Sequence, residues 1–316
     1  MRFFPGVVLV AQQDLRIRLR TGRWQWMLGA WVIVVGLFTG LLEAADESTH
    51  QKGVALFGAL MLLVLSLAML VSPALTAQSI NGDRERGTLA PLQVTALTPA
   101  QIALGKLLAG WSVGLTALGL TLPFVGWCMI RGGIGPVRVV VVLTVVGLLI
   151  GVVCAVSQAL SAVLARSITS ALVSYLAVFA LVVGTLIAFI FSNAITSDTD
   201  HDHDWVVLAA NPFVVLADAA PRLPPRRFGV SSEPRPYDPL GDFGHELREL
   251  RGDPRIAECD ERQCSYASGP DAWIDERAIW PYGLGINLAM GAAALYITTV
   301  RLRAPSRRLA RGVRVA

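Results

Sequence analysis

The chain has 316 residues, of which 54% are hydrophobic and only 16% are charged, and its mean hydropathy is +0.56. Soluble domains usually have about 25% charged residues, so this composition leaves too little polar surface for a soluble protein. The formal net charge is +4, and Lys52 and Lys106 are the only lysines among the basic residues. This preference for arginine is typical of a high-GC bacterial source.

Six apolar runs are long enough to cross a bilayer as helices. A hydrocarbon core about 30 Å thick needs about 20 residues at 1.5 Å rise per residue. No run contains Asp, Glu, Lys, Arg or His. The runs are 24–42, 54–75, 107–129, 139–164, 171–191 and 279–300. The predicted fold class is therefore an all-α polytopic membrane protein with six transmembrane helices.

The first run is predicted to be a retained helix. It is longer than the apolar part of a signal peptide, about 7–15 residues, and the segment before it is longer than a usual leader. A cleaved leader remains the alternative, because the small residues Ala44 and Ala45 follow the run.

Charge predicts the orientation. Segment 1–23 has five arginines and one acidic residue, and tail 301–316 has six arginines and no acidic residue. Segment 193–277 has 17 acidic residues against nine arginines, a net charge of −8. Because positive segments stay in the cytoplasm, both termini are predicted to be cytoplasmic and 193–277 extracytoplasmic.

Residues 5–22 are predicted to form a helix in the cytoplasmic interface. Val8, Leu9, Leu15 and Leu19 can share one face while the arginines meet lipid phosphates. The alternative is a basic lead-in without this structure. We therefore divide the chain into an interfacial region, 1–23, and a region 24–192 that contains the first five transmembrane helices.

The loop 79–104 between the second and third runs contains two helix-start signals. Gly87 is a natural break and Thr88 a natural N-cap, so a short helix is predicted over 89–95. Thr98 and Gln101, with a proline between them, form a capping box that opens the third helix.

The same loop carries a family resemblance. Glu85-Arg86-Gly87-Thr88-Leu89, followed by Leu92, Thr98-Pro99 and Gly105-Lys106, resembles the signature of ATP-binding-cassette (ABC) type-2 export permeases. In that family this segment is a coupling helix that seats in a groove of a separate ATPase. The resemblance implies one role for each of three residue pairs. Glu85 and Arg86 would make charged contacts to the ATPase, and Leu89 and Leu92 would be buried in its groove. Gly87 and Thr88 would set the geometry of the helix.

The resemblance also implies partners. Gly105-Lys106 is followed by Leu107, so the chain has no phosphate-binding loop there and no catalytic residue is expected. ATP and Mg would be bound by two copies of a partner ATPase. A second permease, identical or related, and membrane lipid would complete the assembly, with no nucleic acid. The expected function is export of a hydrophobic or amphipathic substrate (drug-like compound, peptide, lipid or glycan) across the bacterial plasma membrane.

The outer segment 193–277 contains an apolar stretch, 205–220, that Asn211-Pro212 interrupts. It is short for a span, so we predict short re-entrant helices, with Asn211, Pro212 and Phe213 as an outer gate. The alternative is a seventh span, which would place the arginine-rich tail outside.

Two further patterns in the outer segment involve possible metal ligands or thiols. The Asp/His run 198–204 is interpreted as a solvated loop, so no metal site is predicted. Cys259 and Cys264 are predicted to form a disulfide, since thiols oxidise outside the cytoplasm, with a zinc pair as the alternative.

The competing function for the whole protein is a membrane scaffold or sensor whose acidic outer cap binds a ligand.

Overall fold

The computed structural model describes residues 3–20, 23–45, 52–88, 97–195, 205–221, 240–241, 243–244, 259–260, 263–264 and 278–303. Nearly all of these residues are helical, so the predicted all-α class is confirmed. The elements in chain order are α1 (Phe3–Arg20), α2 (Arg23–Ala45), α3 (Lys52–Thr76), α4 (Asn81–Glu85), α5 (Pro99–Leu120), α6 (Leu122–Ile130), α7 (Pro136–Val163), α8 (Ser167–Phe179), a π-helical turn (Ala180–Gly184), α9 (Thr185–Ile195), α10 (Trp205–Ala209), α11 (Pro212–Ala219), β1 (Cys259–Asp260), β2 (Gln263–Cys264) and α12 (Trp280–Arg303).

Six helical segments among the described residues are long and apolar enough to cross a membrane, as predicted. They are Gln25–Ala45, Lys52–Glu85, Pro99–Ile130, Pro136–Val163, Ser167–Ser192 and Trp280–Arg303. The second segment extends beyond α3 through a turn into α4, which carries Asp83, Arg84 and Glu85. Its apolar part therefore ends with α3.

The third segment is two helices in series, although the sequence predicted one continuous helix. α5 ends at Leu120 and α6 begins at Leu122, with Thr121 between them. Pro123 has no N–H to donate to the carbonyl one turn earlier, so the ladder is interrupted there. The Thr121 carbonyl accepts from the N–H of Phe124 at 3.0 Å and of Val125 at 3.1 Å, which restarts the helix.

The core is built around α3 and α7. In each of these helices 61% of the most apolar window is buried, compared with 11% in α2 and 6% in the segment that begins with α8. α7 contacts α3, α5, α8, α11 and α12. The indole N–H of Trp111 in α5 also donates to the carbonyl of Gly147 in α7 at 2.7 Å. The peripheral helices α2 and α8–α9 thus have apolar faces that the other described residues leave uncovered.

The amphipathic helix α1 packs along the start of α5. Val10 of α1 lies so close to Gly105 that a Cβ at Gly105 would be 2.6 Å from the Val10 Cβ. Val7 and Val10 are buried, whereas Val8 and Leu9 are about half exposed. One face of α1 therefore belongs to the bundle, and the other face is apolar and exposed among the described residues. We call the end of the bundle that carries α1 the α1 end.

Candidate functional site

The turn after α4 lies at the α1 end and has a defined geometry. Gly87 has φ of 71°, a left-handed conformation that favours glycine. Its N–H donates to the Arg84 carbonyl at 3.2 Å, and the Thr88 N–H donates to the Asp83 carbonyl at 2.9 Å. This pair of bonds is a Schellman motif, which closes the carboxyl end of a helix. Residues 83–88, which we call the coupling turn, therefore have a fixed backbone.

The residues predicted to couple to an ATPase divide into two groups. Glu85, Arg86, Gly87 and Thr88 belong to the coupling turn. The hydroxyl of Thr88 also donates back to the Asp83 carbonyl at 3.3 Å, so its side chain supports the end of α4. Leu89, Leu92 and the predicted helix over 89–95 lie outside the described residues.

The two charged residues of the coupling turn have different environments. Glu85 accepts the backbone N–H of Ser167 at 3.2 Å, at the amino end of α8. Hydrogen bonding from Ser167 lowers the pKa of Glu85, which lies beyond the apolar part of α3. The Arg86 side chain is 70% exposed and lies 3.4 Å from Asp83. Glu85 therefore attaches the turn to α8, whereas the charge of Arg86 lies on the protein surface.

Buried serines hold the chain that leads into the coupling turn. The Ser161 hydroxyl of α7 accepts the N–H of Ile80 at 3.2 Å and of Asn81 at 3.1 Å. The Ser170 hydroxyl of α8 donates to the Ala77 carbonyl at 2.8 Å. Both serines are fully buried. Sequence reasoning missed them, because a serine inside or next to an apolar run shows only that it needs a partner.

An ionic cluster lies beside the coupling turn at the start of α5. The Lys106 ammonium bonds to Asp83 and lies 3.8 Å from Asp14 of α1. Asp14 also pairs with Arg18 at 2.9 Å, and Arg18 donates to the Leu75 carbonyl of α3 at 3.2 Å. We call these four charged residues the Lys106 cluster. Sequence reasoning placed Lys106 at the edge of a span and in the family signature, but it predicted no partner for the side chain.

At the opposite end, α10 and α11 form a short helical hairpin that we call the outer hairpin. The carboxamide oxygen of Asn211 accepts the Phe213 N–H at 2.9 Å and caps α11, with Pro212 in its first turn. The amide nitrogen donates to the Val182 carbonyl at 2.8 Å and to the Thr185 hydroxyl at 2.9 Å. The predicted gate residue Asn211 therefore joins the hairpin to the π-helical turn.

The outer hairpin is also joined to the last helix. One carboxylate oxygen of Asp218 accepts the N–H groups of Ile279 at 2.6 Å and Trp280 at 2.9 Å, which caps the start of α12. The side-chain amide of Asn287 donates to the Ala210 carbonyl at 3.0 Å. The hairpin thus connects the fifth and sixth crossing segments.

An apolar cavity of about 280 Å³ lies between α7, the π-helical turn and α12. Its lining includes Val153, Val178, Leu181 and Met290. Thr185 lies at its border, and the same threonine hydroxyl accepts the Asn211 amide. The cavity is therefore adjacent to the attachment point of the outer hairpin.

Two predictions on the outer segment stay predictions. Cys259 is directly opposite Cys264 in the antiparallel pair β1–β2. Opposite residues in such a pair have Cα atoms about 4.5–5.5 Å apart, which falls within the range for a disulfide. The Asp/His run 198–204 lies outside the described residues.

Comparison with known proteins identifies the family. A profile described as ABC-2 family transporter protein matches residues 33–300, which includes all six crossing segments except the first residues of α2 and the end of α12. No curated protein matches the chain. The expected resemblance is thereby confirmed: the chain belongs to the ABC-2 transporter family and is a multi-pass membrane permease component of an ABC transporter.

Proposed function

We propose that the chain is the membrane-spanning subunit of an exporter, which moves a hydrophobic or amphipathic substrate out across the bacterial plasma membrane. ATP hydrolysis would take place in a separate ATPase, present in two copies. Two permease chains, identical or related, would form the path. Both termini and the α1 end would be cytoplasmic, in agreement with the arginine-rich segments 1–23 and 301–316.

The coupling turn is the observation that carries this proposal. Its backbone is closed by the Schellman motif at Gly87, and the segment before it is attached to α7 and α8 through Ser161 and Ser170. A displacement of this turn by the ATPase would therefore be transmitted to the membrane helices, because among the described residues no flexible loop lies between them. The exposed guanidinium of Arg86 would contact an acidic group of the ATPase. Leu89 and Leu92 would bury in its groove.

The opposite end supports an outer gate. Asn211 connects the outer hairpin to the π-helical turn, and π-helical turns are frequent at functional sites. The apolar cavity of about 280 Å³ next to this contact suits a hydrophobic moiety of the substrate. Opening of the hairpin would release the substrate, with Pro212 and Phe213 moving together with Asn211.

Capture of the ATPase tests the proposal. The chain is co-expressed with the ATPase of its neighbouring gene and purified through a tag on the permease. We expect the wild type to retain the ATPase and the double variant Arg86→Glu with Leu89→Asp to lose it. Arg86 is preferred to Glu85 for this test, because a change of Glu85 would also break its bond to Ser167.

A charge reversal at the opposite end is the matched control. Arg138→Glu changes an exposed residue in the first turn of α7 and is expected to leave the capture unchanged. Failure of the wild type to retain any ATPase would contradict the proposal and favour a membrane scaffold or sensor. Equal retention by the double variant would show that the coupling turn is not the docking site.

A further inference from the structure

We propose that Lys106 is a positioning residue that ties the coupling turn and helix α1 to the start of α5, so that the three move as one unit. This inference rests on the proposed function, in which the ATPase pushes on the coupling turn. It assigns a role in force transmission to a buried side chain.

The burial and geometry of Lys106 indicate this role. Its side chain is only 4% exposed, and its ammonium bonds to the Asp83 carboxylate and lies 3.8 Å from that of Asp14. A compact ammonium with three donors can contact carboxylates from two different elements at once. Lys52 is the only other lysine, and it is buried at the opposite end beside Glu43.

Asp83 makes the link to the coupling turn direct. Its side chain is held by Lys106, and its backbone carbonyl accepts both the N–H and the hydroxyl of Thr88. The residue that closes the turn is therefore also the residue that the lysine holds. A displacement of the turn must either move Lys106 with it or break a buried ion pair.

Asp14 extends the link to α1 and α3. It pairs with Arg18, which donates to the Leu75 carbonyl at the end of α3. The Lys106 cluster thus contains two acidic and two basic groups from α1, α4 and α5. A buried ion pair contributes little net stability compared with apolar side chains, and fixing the relative position of elements is its best-attested use. The composition of the cluster therefore favours a positioning role.

A set of three variants separates positioning from stability. Lys106→Met leaves Asp83 with only the exposed Arg86 at 3.4 Å, and Asp83→Asn leaves the buried ammonium of Lys106 with only Asp14 at 3.8 Å. Each single variant therefore loses the closest partner of a charge and is expected to lower the thermal stability of the permease. The double variant removes both charges, while Asp14 keeps Arg18. We expect the double variant to recover wild-type stability and to retain the ATPase.

ATP hydrolysis by the reconstituted complex is the decisive measurement. Hydrolysis by the double variant is expected to fall at least about fivefold below wild type, a typical size for a lost coupling between sites. The matched control, Lys52→Met, removes the other buried lysine, leaves Glu43 paired with Arg131 and should hydrolyse ATP like the wild type. Hydrolysis at the wild-type rate by a stable double variant would overturn the inference. Loss of ATPase capture by the double variant, while the wild type retains the ATPase, would also overturn it.

Acylation of the lysine amines tests the tie, by which we mean the contact between Lys106 and Asp83, and this test does not need the ATPase. Lys52 and Lys106 are the only lysine side chains, so mass spectrometry after treatment with an N-hydroxysuccinimide ester measures each one separately. We expect Lys106 to react several-fold more slowly in the wild type than in Asp83→Asn, with Lys52 unchanged. Equal rates at Lys106 would overturn the tie. A wild type that captures no ATPase but protects Lys106 would contradict the proposed function and leave the tie intact.

Discussion

Replacement of Asn211 is expected to loosen the outer hairpin by a predictable amount. The side chain is 1% exposed and makes three hydrogen bonds: it caps α11 through Phe213 and donates to Val182 and Thr185. Asn211→Ser keeps a good N-cap but cannot reach the π-helical turn. Asn211→Ala loses both the cap and the two donated bonds.

The cost follows from the number of bonds and their alternatives. A neutral hydrogen bond contributes about 0.5–1.5 kcal/mol, so two lost bonds cost about 1–3 kcal/mol. The Val182 carbonyl still accepts from the Thr185 hydroxyl at 3.2 Å, which places the loss near the lower part of this range. We expect Asn211→Ser to destabilise the hairpin by about 1.5 kcal/mol and Asn211→Ala by about 1 kcal/mol more.

Hydrogen exchange at the backbone amides of 206–219 measures this loss. A decrease of about 1.4 kcal/mol in the local opening free energy is a factor of about 10 in exchange rate. Exchange should therefore be about tenfold faster in Asn211→Ser and faster again in Asn211→Ala, whereas the buried amides of α7 should be unchanged. Hairpin exchange in Asn211→Ser within about twofold of wild type would refute the reasoning.

Three further predictions concern other parts of the chain. Gly105→Ala places a Cβ 2.6 Å from the Val10 Cβ and should cost about 1–3 kcal/mol in thermal unfolding. Gly119→Ala is the control, because nothing lies within 4 Å of that position, and it should be neutral or stabilising by up to about 1 kcal/mol; equal effects would contradict the close packing of α1. The lowered pKa of Glu85 stabilises the fold at pH values above the ordinary 4.5, and this contribution is lost as the pH falls through the lowered folded pKa. A stability difference between wild type and Glu85→Gln should therefore be present at neutral pH and disappear in acid; a difference that persists in acid would argue against the Ser167 contact. Cys259 and Cys264 should resist an impermeant thiol reagent on intact cells and react after mild reduction, and a reaction of both before reduction would exclude the disulfide.

Local signals in the sequence predicted the helices and several of their ends. A segment that crosses lipid must be apolar and must satisfy its own backbone hydrogen bonds, so the six runs could be identified without knowledge of their neighbours. The capping box of Thr98 and Gln101 and the break at Gly87 are local in the same way, and the structure has both. The interruption at Thr121 was missed, because Pro123 was counted only as one more apolar residue.

Only the tertiary structure decided which helices form the core and what the buried polar residues do. Ser161 contacts Asn81 across 80 residues, Ser170 contacts Ala77 across 93, and Asn211 contacts Val182 across 29. The most apolar window is 61% buried in the segments of α3 and α7 but only 6% buried in Ser167–Ser192, although all three are strongly apolar, since burial depends on the neighbouring helices. A polar side chain in an apolar run shows by its chemistry that it needs a partner, but the partner is determined by the packing of the helices.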